Sequence, residues 1–561
     1  MDIQKRNNIR VVHLKGTRAE RARLHGELLC DLKSEAKESL AFTVLSNKNQ
    51  TLLKRAFPHS RMLGHLLSRL YEVLVWIQYL RLPKTYRDQL RPFKTAGGIT
   101  QKVFRNSLFQ PDLLMFLASI AGKKARNRLF HGIPGCSTLS VNFKDQIYFL
   151  RNLDYPAVGY WEKNPTLFYH EPSEPELQNY VGISSLGVDT AGLTGWNVSG
   201  IAFSLHAHFS KRVSLGGLPI FFLGDAILEK ARTLDEAIEI AKNFKTIGAW
   251  TINLTSFSEK KSVCVELQGG RTATRESKNG ILAHSNIFIT PEFQSEALHF
   301  NESVFQESES RKFFLERAGI ELSKDFTWAK GVSVLSSHLD PSTESLRIFG
   351  GTVSVINTLQ SIGFDPLEKC IYISVRNETP TGHGPYQKFP FSFDQSEFPL
   401  ASSPLLEPEV KYEEPFMKAL HAYYLAYLSW HGKGESPEIA LSHLREATKI
   451  NPHDPHLWLQ RGYFELLTNQ EPQALECFHH ALKEKLSQNL TQVAHYFRGN
   501  AHDLLNDRQQ AIEDYQAILK HQSIDSRLEQ KARTRLKKPF SKKLTKFISP
   551  DMQFAEPIDY R

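Results

Sequence analysis

One cysteine of the sequence stands where residue types and spacing favour nucleophilic chemistry. Cys136 follows Gly135 at the point where a helix-rich stretch gives way to a strand-rich one. Arg151 and Asp154 follow fifteen and eighteen residues later, after two strand-like runs joined by a turn at Lys144-Asp145. A hairpin of that length brings Arg151 and Asp154 back beside Cys136.

These three side chains suit catalysis by a thiol. A thiol reacts as thiolate, and the permanent positive charge of Arg151 lowers the pKa of a neighbouring thiol. If the chain is cut before Cys136, the residue gains an α-amine with an ordinary pKa of about 8, which can serve as its general base. Asp154 would accept hydrogen bonds from that amine. A lone cysteine is more often an inert buried thiol, so the prediction of a nucleophile depends on the nearby Arg151 and Asp154.

The same residues carry a family resemblance. Gly135-Cys136-Ser137-Thr138 followed by Arg151-Asn152-Leu153-Asp154 resembles the choloylglycine hydrolase and acid ceramidase group of N-terminal-nucleophile (Ntn) hydrolases. Within that group the chain is most similar to the C45 family, which includes acyl-coenzyme A:6-aminopenicillanic acid acyltransferase. Further similar segments lie at 12–29, 195–202, 281–286 and 308–311, and the resemblance covers roughly residues 9–380.

The resemblance implies an enzyme that cleaves itself between Gly135 and Cys136 and then forms an acyl-thioester on Cys136. It implies that Asn197 and Asn286 stabilise the oxyanion, and that Arg311 binds a substrate carboxylate or braces the site. The substrate would be a small-molecule amide or acyl donor, with acyl-coenzyme A as one candidate, and no metal or cofactor would be needed. Hydrolase and transferase remain alternatives.

The residues by themselves leave plainer interpretations open. Asn197 has the sequence surroundings of a turn cap, and Asn286 of a strand end. Arg311 fits an exposed helix position as well. Asp154 and Arg151 would also be compatible with a surface ion pair of little energetic value.

Other kinds of site find less support. His206 and His208 alternate as two metal ligands on a strand would, but the sequence offers no third ligand in register, which favours packed histidines. Neither a phosphate-binding Gly-x-x-x-x-Gly-Lys loop nor a Gly-x-Ser-x-Gly serine-hydrolase motif is present. The five cysteines are scattered and never spaced as C-x-x-C, which argues against a disulfide scaffold or a zinc ribbon.

The pattern along the chain predicts an α+β protein, and the resemblance implies a four-layer αββα Ntn sandwich. A strand over 9–15 and a helix over 18–39 begin a mainly helical pro-region. The predicted organisation is a helical pro-region, a catalytic domain, a Pro-rich linker, helical repeats and a basic tail, at 1–135, 136–384, 385–412, 413–540 and 541–561.

The predicted repeats rest on a period of 34 residues. Ala440-x-x-x-Leu444-x-x-Ala447 recurs as Ala474-x-x-x-Phe478-x-x-Ala481, and a degenerate third copy starts at Ala511. This resembles the tetratricopeptide repeat, which implies binding of a peptide or protein partner, or packing on the core. Two rival functions follow: a scaffold that has lost catalysis, and a peptidase whose repeats recruit its substrate.

The composition and the N-terminal sequence indicate where in the cell the protein would be found. The chain has 561 residues, 41% of them hydrophobic, and a net charge of +9 that is concentrated near the C-terminus. A solvated helix face and tail explain that charge better than nucleic-acid binding does. The N-terminus lacks the apolar core of a signal peptide, and the most apolar early stretch is too short to span a bilayer. The sequence therefore predicts a cytoplasmic location, with export by a signal-less route left open.

Overall fold

The protein is described from a computed structural model. It covers residues 3–32, 61–122, 135–155, 158–188, 193–298, 300–394, 404–433, 436–520, 525–557 and 560. The fold is mixed α+β with a helical C-terminal region. The distal part of the helix predicted over 18–39 lies outside the described residues.

A large sheet of nine strands has the order β1-β2-β5-β6-β7-β8-β9-β10-β11. Only β2 and β5 pair in parallel; every other neighbouring pair is antiparallel. The strands are β1 (Ile3–Arg6), β2 (Ile9–Gly16), β5 (Pro165–Pro172), β6 (Tyr180–Ser185), β7 (Thr194–Asn197), β8 (Ile201–His208), β9 (Ala249–Ser256), β10 (Lys261–Gln268) and β11 (Arg271–Glu276).

A smaller antiparallel sheet has the order β12-β3-β4-β15-β16-β17. Its strands are β3 (Gly135–Phe143), β4 (Gln146–Asp154), β12 (Ile281–His284), β15 (Thr358–Asp365), β16 (Cys370–Ser374) and β17 (Tyr386–Pro390). A two-stranded ribbon, β13 (Leu339–Asp340) with β14 (Ser345–Leu346), stands apart from it. The predicted hairpin is confirmed, with Lys144 and Asp145 at positive φ in its turn.

The first half of the chain contributes helices α1 (Arg18–Asp31), α2 (Arg61–Arg81), α3 (Lys84–Ala96), α4 (Gln101–Ile120), α5 (Phe221–Lys230) and α6 (Leu234–Asn243). Helices α7 (Pro291–Ser295), α8 (Glu302–Leu322) and α9 (Trp328–Leu335) follow. Helix α5 ends at Lys230, and Thr233 caps the start of α6 by accepting from the Glu236 N–H.

The alternation of side chains along β4 separates its two faces. Ile147 and Phe149 join an apolar cluster with residues of the large sheet, including Leu167 and Val181. Tyr148 and Leu150 instead pack with residues of α8 and α9. The two sheets therefore face each other through one core, and helices α8 and α9 cover the outer side of the small sheet.

The N-terminal region contains a strand, β2, where one is predicted over 9–15, as well as helices. Strand β2 pairs with β5 from Arg10↔Thr166 to Gly16↔Pro172, so the region supplies an edge of the large sheet. The reason is its alternation, which buries Ile9 and Val11 between the sheets. Among the described residues, no helix combines the length and apolarity needed to cross a membrane.

The helical region is built from α10 (Glu414–Tyr427), α11 (Pro437–Ile450), α12 (Pro455–Leu467), α13 (Glu471–Lys483), α14 (Gln488–Leu504), α15 (Arg508–Lys520) and α16 (Ser526–Lys537). Its helices pack chiefly as successive pairs: α10 with α11, α12 with α13, and α14 with α15.

The first residues of the predicted linker, 385–412, do not form a linker, because Tyr386–Pro390 forms strand β17 against β16.

Candidate active site

Cys136 is the second residue of β3 and is buried between the two sheets. The side chains of Thr138 and Ser140 share its face of the strand. They hydrogen-bond across to the large sheet, Thr138 Oγ1 with Ser204 Oγ at 3.0 Å and Ser140 Oγ with Thr255 Oγ1 at 2.8 Å. The thiol thus starts a strand whose position against the large sheet is fixed by polar contacts.

Arg151 reaches the Cys136 sulfur from the neighbouring strand. Its Nη2 lies 3.5 Å from Cys136 Sγ and also donates to the Leu205 carbonyl at 2.8 Å, while Nη1 donates to the Leu193 carbonyl at 2.6 Å. Burial raises the pKa of the Cys136 thiol, and the Arg151 charge opposes that rise. The guanidinium is held rigidly where it favours the thiolate.

Asp154 lies opposite Gly135 in the β3–β4 register. Its Oδ1 accepts a hydrogen bond from Thr358 Oγ1 at 2.7 Å, and its buried Oδ2 has no hydrogen-bond partner among the described residues. Burial raises the pKa of Asp154 to about 6, against the opposing charge of Arg311. A Cβ on Gly135 would lie 3.1 Å from this carboxylate oxygen, a tight contact that a larger residue could make only if the Asp154 side chain shifted.

Asn286 holds the backbone nitrogen of the cysteine. Its Oδ1 accepts from the Cys136 N–H at 2.6 Å and from Arg311 Nη2 at 3.1 Å, and its Nδ2 donates to the Ala207 carbonyl at 3.0 Å. Arg311 is buried on α8. The structure therefore brings together five of the sequence-predicted residues: Cys136, Arg151, Asp154, Asn286 and Arg311.

Asn197 does not join this group. Its Nδ2 donates to the carbonyls of Leu228 and Ala231 at 3.1 and 2.8 Å, and its Oδ1 accepts from the Ile201 N–H at 2.9 Å. The amide is buried at the end of β7, where it ties the β7–β8 turn to the end of α5. Both hydrogens of Nδ2 and the Oδ1 atom are engaged, so Asn197 lies here as a buried turn residue, and its assignment to the oxyanion stays a prediction.

A cavity of about 460 Å³ adjoins the site. Gly135, Asn286 and Arg311 stand at its polar part. The rest is mainly apolar, with walls that include Phe209, Phe288, Leu298, Phe300, Val304, Phe305 and Phe554. Cys136 itself is not among the lining residues, and the cavity suits a ligand with an apolar part.

Three histidines lie next to the site. His206 Nε2 is 2.7 Å from Thr138 Oγ1, His208 Nε2 is 2.8 Å from Thr251 Oγ1, and the His284 ring lies 4.9 Å from that of His206. Burial lowers the pKa of each, so all three are neutral at physiological pH. His284 comes from another sheet, and sequence spacing gave no signal for it.

These histidines do not have the geometry of a metal site. In the described part of the chain, only Asp365, Glu368 and Cys370 bring three ligand atoms within 4.8 Å of one another. Burial raises the pKa of Cys370 to about 12, and Lys388 pairs with Glu368. This group is therefore a poor metal site, because its thiol is protonated and one of its carboxylates is paired with a lysine.

The C-terminal residues Gln553 and Phe554 also line the cavity, although the sequence predicted a solvated basic tail from 541 onward. Both are buried, as are Asp551, Met552, Ala555 and Glu556. The basic residues precede this stretch, which itself has few charges and several apolar side chains. That change in composition is the sequence feature that could have predicted a buried C-terminal stretch.

Comparison with known proteins gives one family match. The sequence model of the family "Acyl-coenzyme A:6-aminopenicillanic acid acyl-transferase" matches residues 141–380. Among solved structures, the Caenorhabditis elegans N-acylethanolamine-hydrolyzing acid amidase (NAAA) ortholog is similar at 17% identity and a TM-score of 0.30, covering 41% of this chain and 92% of that one. No curated protein sequence matches. The family match begins after Cys136 and includes Arg151, Asp154, Asn286 and Arg311.

Proposed function

We propose that the protein is an Ntn amide hydrolase or acyltransferase that cuts itself before Cys136 and then forms an acyl-thioester on that residue. One observation carries the proposal: Arg151 Nη2 stands 3.5 Å from Cys136 Sγ while Asn286 holds the Cys136 nitrogen beside an apolar cavity. The family match over 141–380 supports the same chemistry.

Self-cleavage begins with attack of Cys136 Sγ on the Gly135 carbonyl. The C–N bond breaks as the nitrogen takes up a proton, and Gly135 is left as a thioester on the sulfur. The α-amine is freed in that step, and water then hydrolyses the thioester, which releases Gly135 as a carboxylate and restores the thiol. The unpartnered Asp154 Oδ2, close to Gly135, is placed to accept a hydrogen bond from the new ammonium.

In turnover the α-amine takes the thiol proton, and Cys136 Sγ attacks the carbonyl of the substrate. The amine leaving group departs with that proton, and water or a second amine releases the acyl group. Asn286 Nδ2 donates one hydrogen to the Ala207 carbonyl and has a second, which we assign to the oxyanion as a contribution worth about 3 kcal/mol. Arg311 orients Asn286 through its hydrogen bond to Oδ1.

The finer architecture belongs to this proposal. We assign the facing sheets with their outer helices to a four-layer αββα sandwich and the paired C-terminal helices to tetratricopeptide-like repeats. Acyl-coenzyme A is a candidate acyl donor because the matching family is named for an acyl transfer from it.

Intact-mass measurement of the purified protein tests the proposal. We expect two chains that meet at Gly135 and Cys136, and one uncut chain for Cys136→Ala. Cys264→Ala is the matched control, since Cys264 is another buried thiol beside an arginine, with Arg275 Nη2 3.3 Å from its sulfur. That variant should still be cut.

Incubation with acyl-coenzyme A, N-acyl amines and acylated peptides then separates the rivals. A mass increase on the chain that begins at Cys136 identifies the donor, and one seen only with peptides favours the peptidase. A single uncut wild-type chain that no donor acylates would leave the scaffold as the remaining interpretation.

A further inference from the structure

The C-terminal segment, defined as Asp551–Glu556, lies between the helical region and the two sheets. All six of its residues are buried. The segment follows a short 3-10 helix, Lys542–Phe547, and is connected to the catalytic region by contacts on its other side. The C-terminal segment is therefore packed into the folded structure and contacts neighbours on both sides.

Side chains of the helical region hold this segment by its backbone. Gln460 Nε2 donates to the Phe554 carbonyl at 2.6 Å, and Tyr463 OH donates to the Ala555 carbonyl at 3.0 Å. Tyr423 OH donates to the Met552 carbonyl. Because these bonds use the backbone, the Gln553 and Phe554 side chains are left to face the cavity.

The other side of the segment contacts the catalytic region. Gln553 Oε1 accepts from Asn357 Nδ2 at 3.1 Å, and Gln553 Nε2 lies 3.5 Å from where a Cβ on Gly135 would stand. The Ala555 N–H donates to Glu307 Oε1 at 3.3 Å. Glu556 Oε2 accepts from the Ser303 N–H at 3.3 Å, so α8 fixes the end of the segment.

We propose that the C-terminal segment is a wall of the substrate site and that Phe554 limits the length of the acyl group. The inference rests on the proposed function. Phe554 is the apolar side chain that the segment adds to the cavity, whose other apolar lining residues include Phe209, Leu298, Phe300, Val304 and Phe305. The helical region then has a role inside its own chain: it holds this wall beside the cleavage site.

Phe554→Ala tests the wall through selectivity. We would compare kcat/KM for acetyl, octanoyl and palmitoyl amides of one fluorogenic amine. Because a pocket discriminates by roughly tenfold or more for each methylene that fits or clashes, the ratio of palmitoyl to octanoyl should rise at least about tenfold. Met552→Leu is the matched control: Met552 is buried in the same segment but does not line the cavity, so its ratio should stay at the wild-type value.

Phe554→Leu, a smaller change, serves if the alanine variant does not fold. It should raise the same ratio in the same direction. An unchanged ratio in a folded Phe554 variant overturns the inference while leaving the proposed function standing.

A binding measurement separates this failure from a failure of the chemistry. In a Cys136→Ala background, a dansylated long-chain fatty acid is titrated by fluorescence with and without Phe554→Ala. A changed Kd together with an inactive wild-type protein would support the wall and refute the proposed function. An identical Kd would count against the wall whatever the turnover results.

Discussion

Arg151 and Asp154 are three residues apart on β4, so their side chains leave opposite faces of the small sheet. Arg151 points between the sheets to the sulfur of Cys136, and Asp154 lies on the side of α8, opposite Gly135. One strand thus offers a cation to the thiol and a carboxylate to the backbone where the cut is proposed. Because Arg151 and Asp154 are three positions apart on the strand, one side chain reaches the Cys136 sulfur and the other lies beside Gly135.

Replacing Arg151 with Gln should shift the alkylation of Cys136 to higher pH. Burial already raises the pKa of this thiol, and the substitution removes the charge that opposes the rise, so we expect the pKa of the Cys136 thiol to increase further. Iodoacetamide labelling, followed by peptide mass spectrometry across pH, measures it. Arg275→Gln is the control, because it removes the same charge beside Cys264; equal profiles for Arg151→Gln and wild type would contradict the assignment.

Asn197 and Asn286 should respond differently to replacement by alanine. Asn197→Ala removes the partners of buried backbone groups and should lower the free energy of unfolding by ~3 kcal/mol, with kcat changed less than about tenfold. Asn286→Ala should lower kcat by roughly 100-fold or more, as loss of an oxyanion donor does. Thermal melts and kinetics on both variants decide; a large kcat loss in a stable Asn197→Ala protein would restore its oxyanion role.

At the scale of elements, two glycines set the close approach of paired helices. Gly462 on α12 faces the Phe478 ring on α13, and Gly499 on α14 faces the Tyr515 ring on α15. A Cβ would lie 2.6 Å from the first ring and 2.7 Å from the second. The two helix pairs therefore pack in the same way, with a glycine of the first helix against an aromatic ring of the second.

Gly462→Ala should destabilise the protein by ~1–3 kcal/mol, although alanine is the better helix former. The reason is that the added methyl group forces the Phe478 ring to move within a buried pair. Chemical denaturation measures the change. Gly122→Ala is the control, because none of the residues described around Gly122 lies within 4 Å of its added Cβ; a Gly462→Ala protein as stable as wild type would argue against tight pairing.

At the scale of the whole molecule, both ends of the chain reach into shared cores. One apolar cluster contains Val12 from β2 and Tyr560 from the C-terminus. Arg21 on α1 pairs with Glu229 on α5 at 2.9 Å, a buried link between the N-terminal region and the rest. A cut before Cys136 would therefore leave the first part of the chain inserted in the structure.

After cleavage, the two chains should elute together from a size-exclusion column and separate only under denaturing conditions. Strand β2 remains hydrogen-bonded to β5, and its apolar side chains remain buried between the sheets. High salt should not release the N-terminal chain, since apolar burial does not depend on charge screening. Free N-terminal chain in native buffer would show that β2 contributes little to the assembly.

Local patterns in the sequence predict the features that depend on residues close together in the chain. The hairpin after Gly135 follows from alternation and a short turn, and that hairpin places Arg151 near Cys136. The pairing of successive helices in the C-terminal region agrees with the 34-residue spacing of its small residues. Each depends on residues close in the chain, so the pattern was sufficient.

Tertiary structure alone decided how distant segments meet. Asn197 looked like an oxyanion donor, yet carbonyls at the end of α5 engage its amide. The C-terminal segment looked like a solvated tail, yet buried side chains of α10 and α12 hold it against the cavity. A single hydrogen-bonding side chain carries the same sequence signal whether it faces a substrate or a carbonyl. Only the packing of elements far apart in the chain selects its partner.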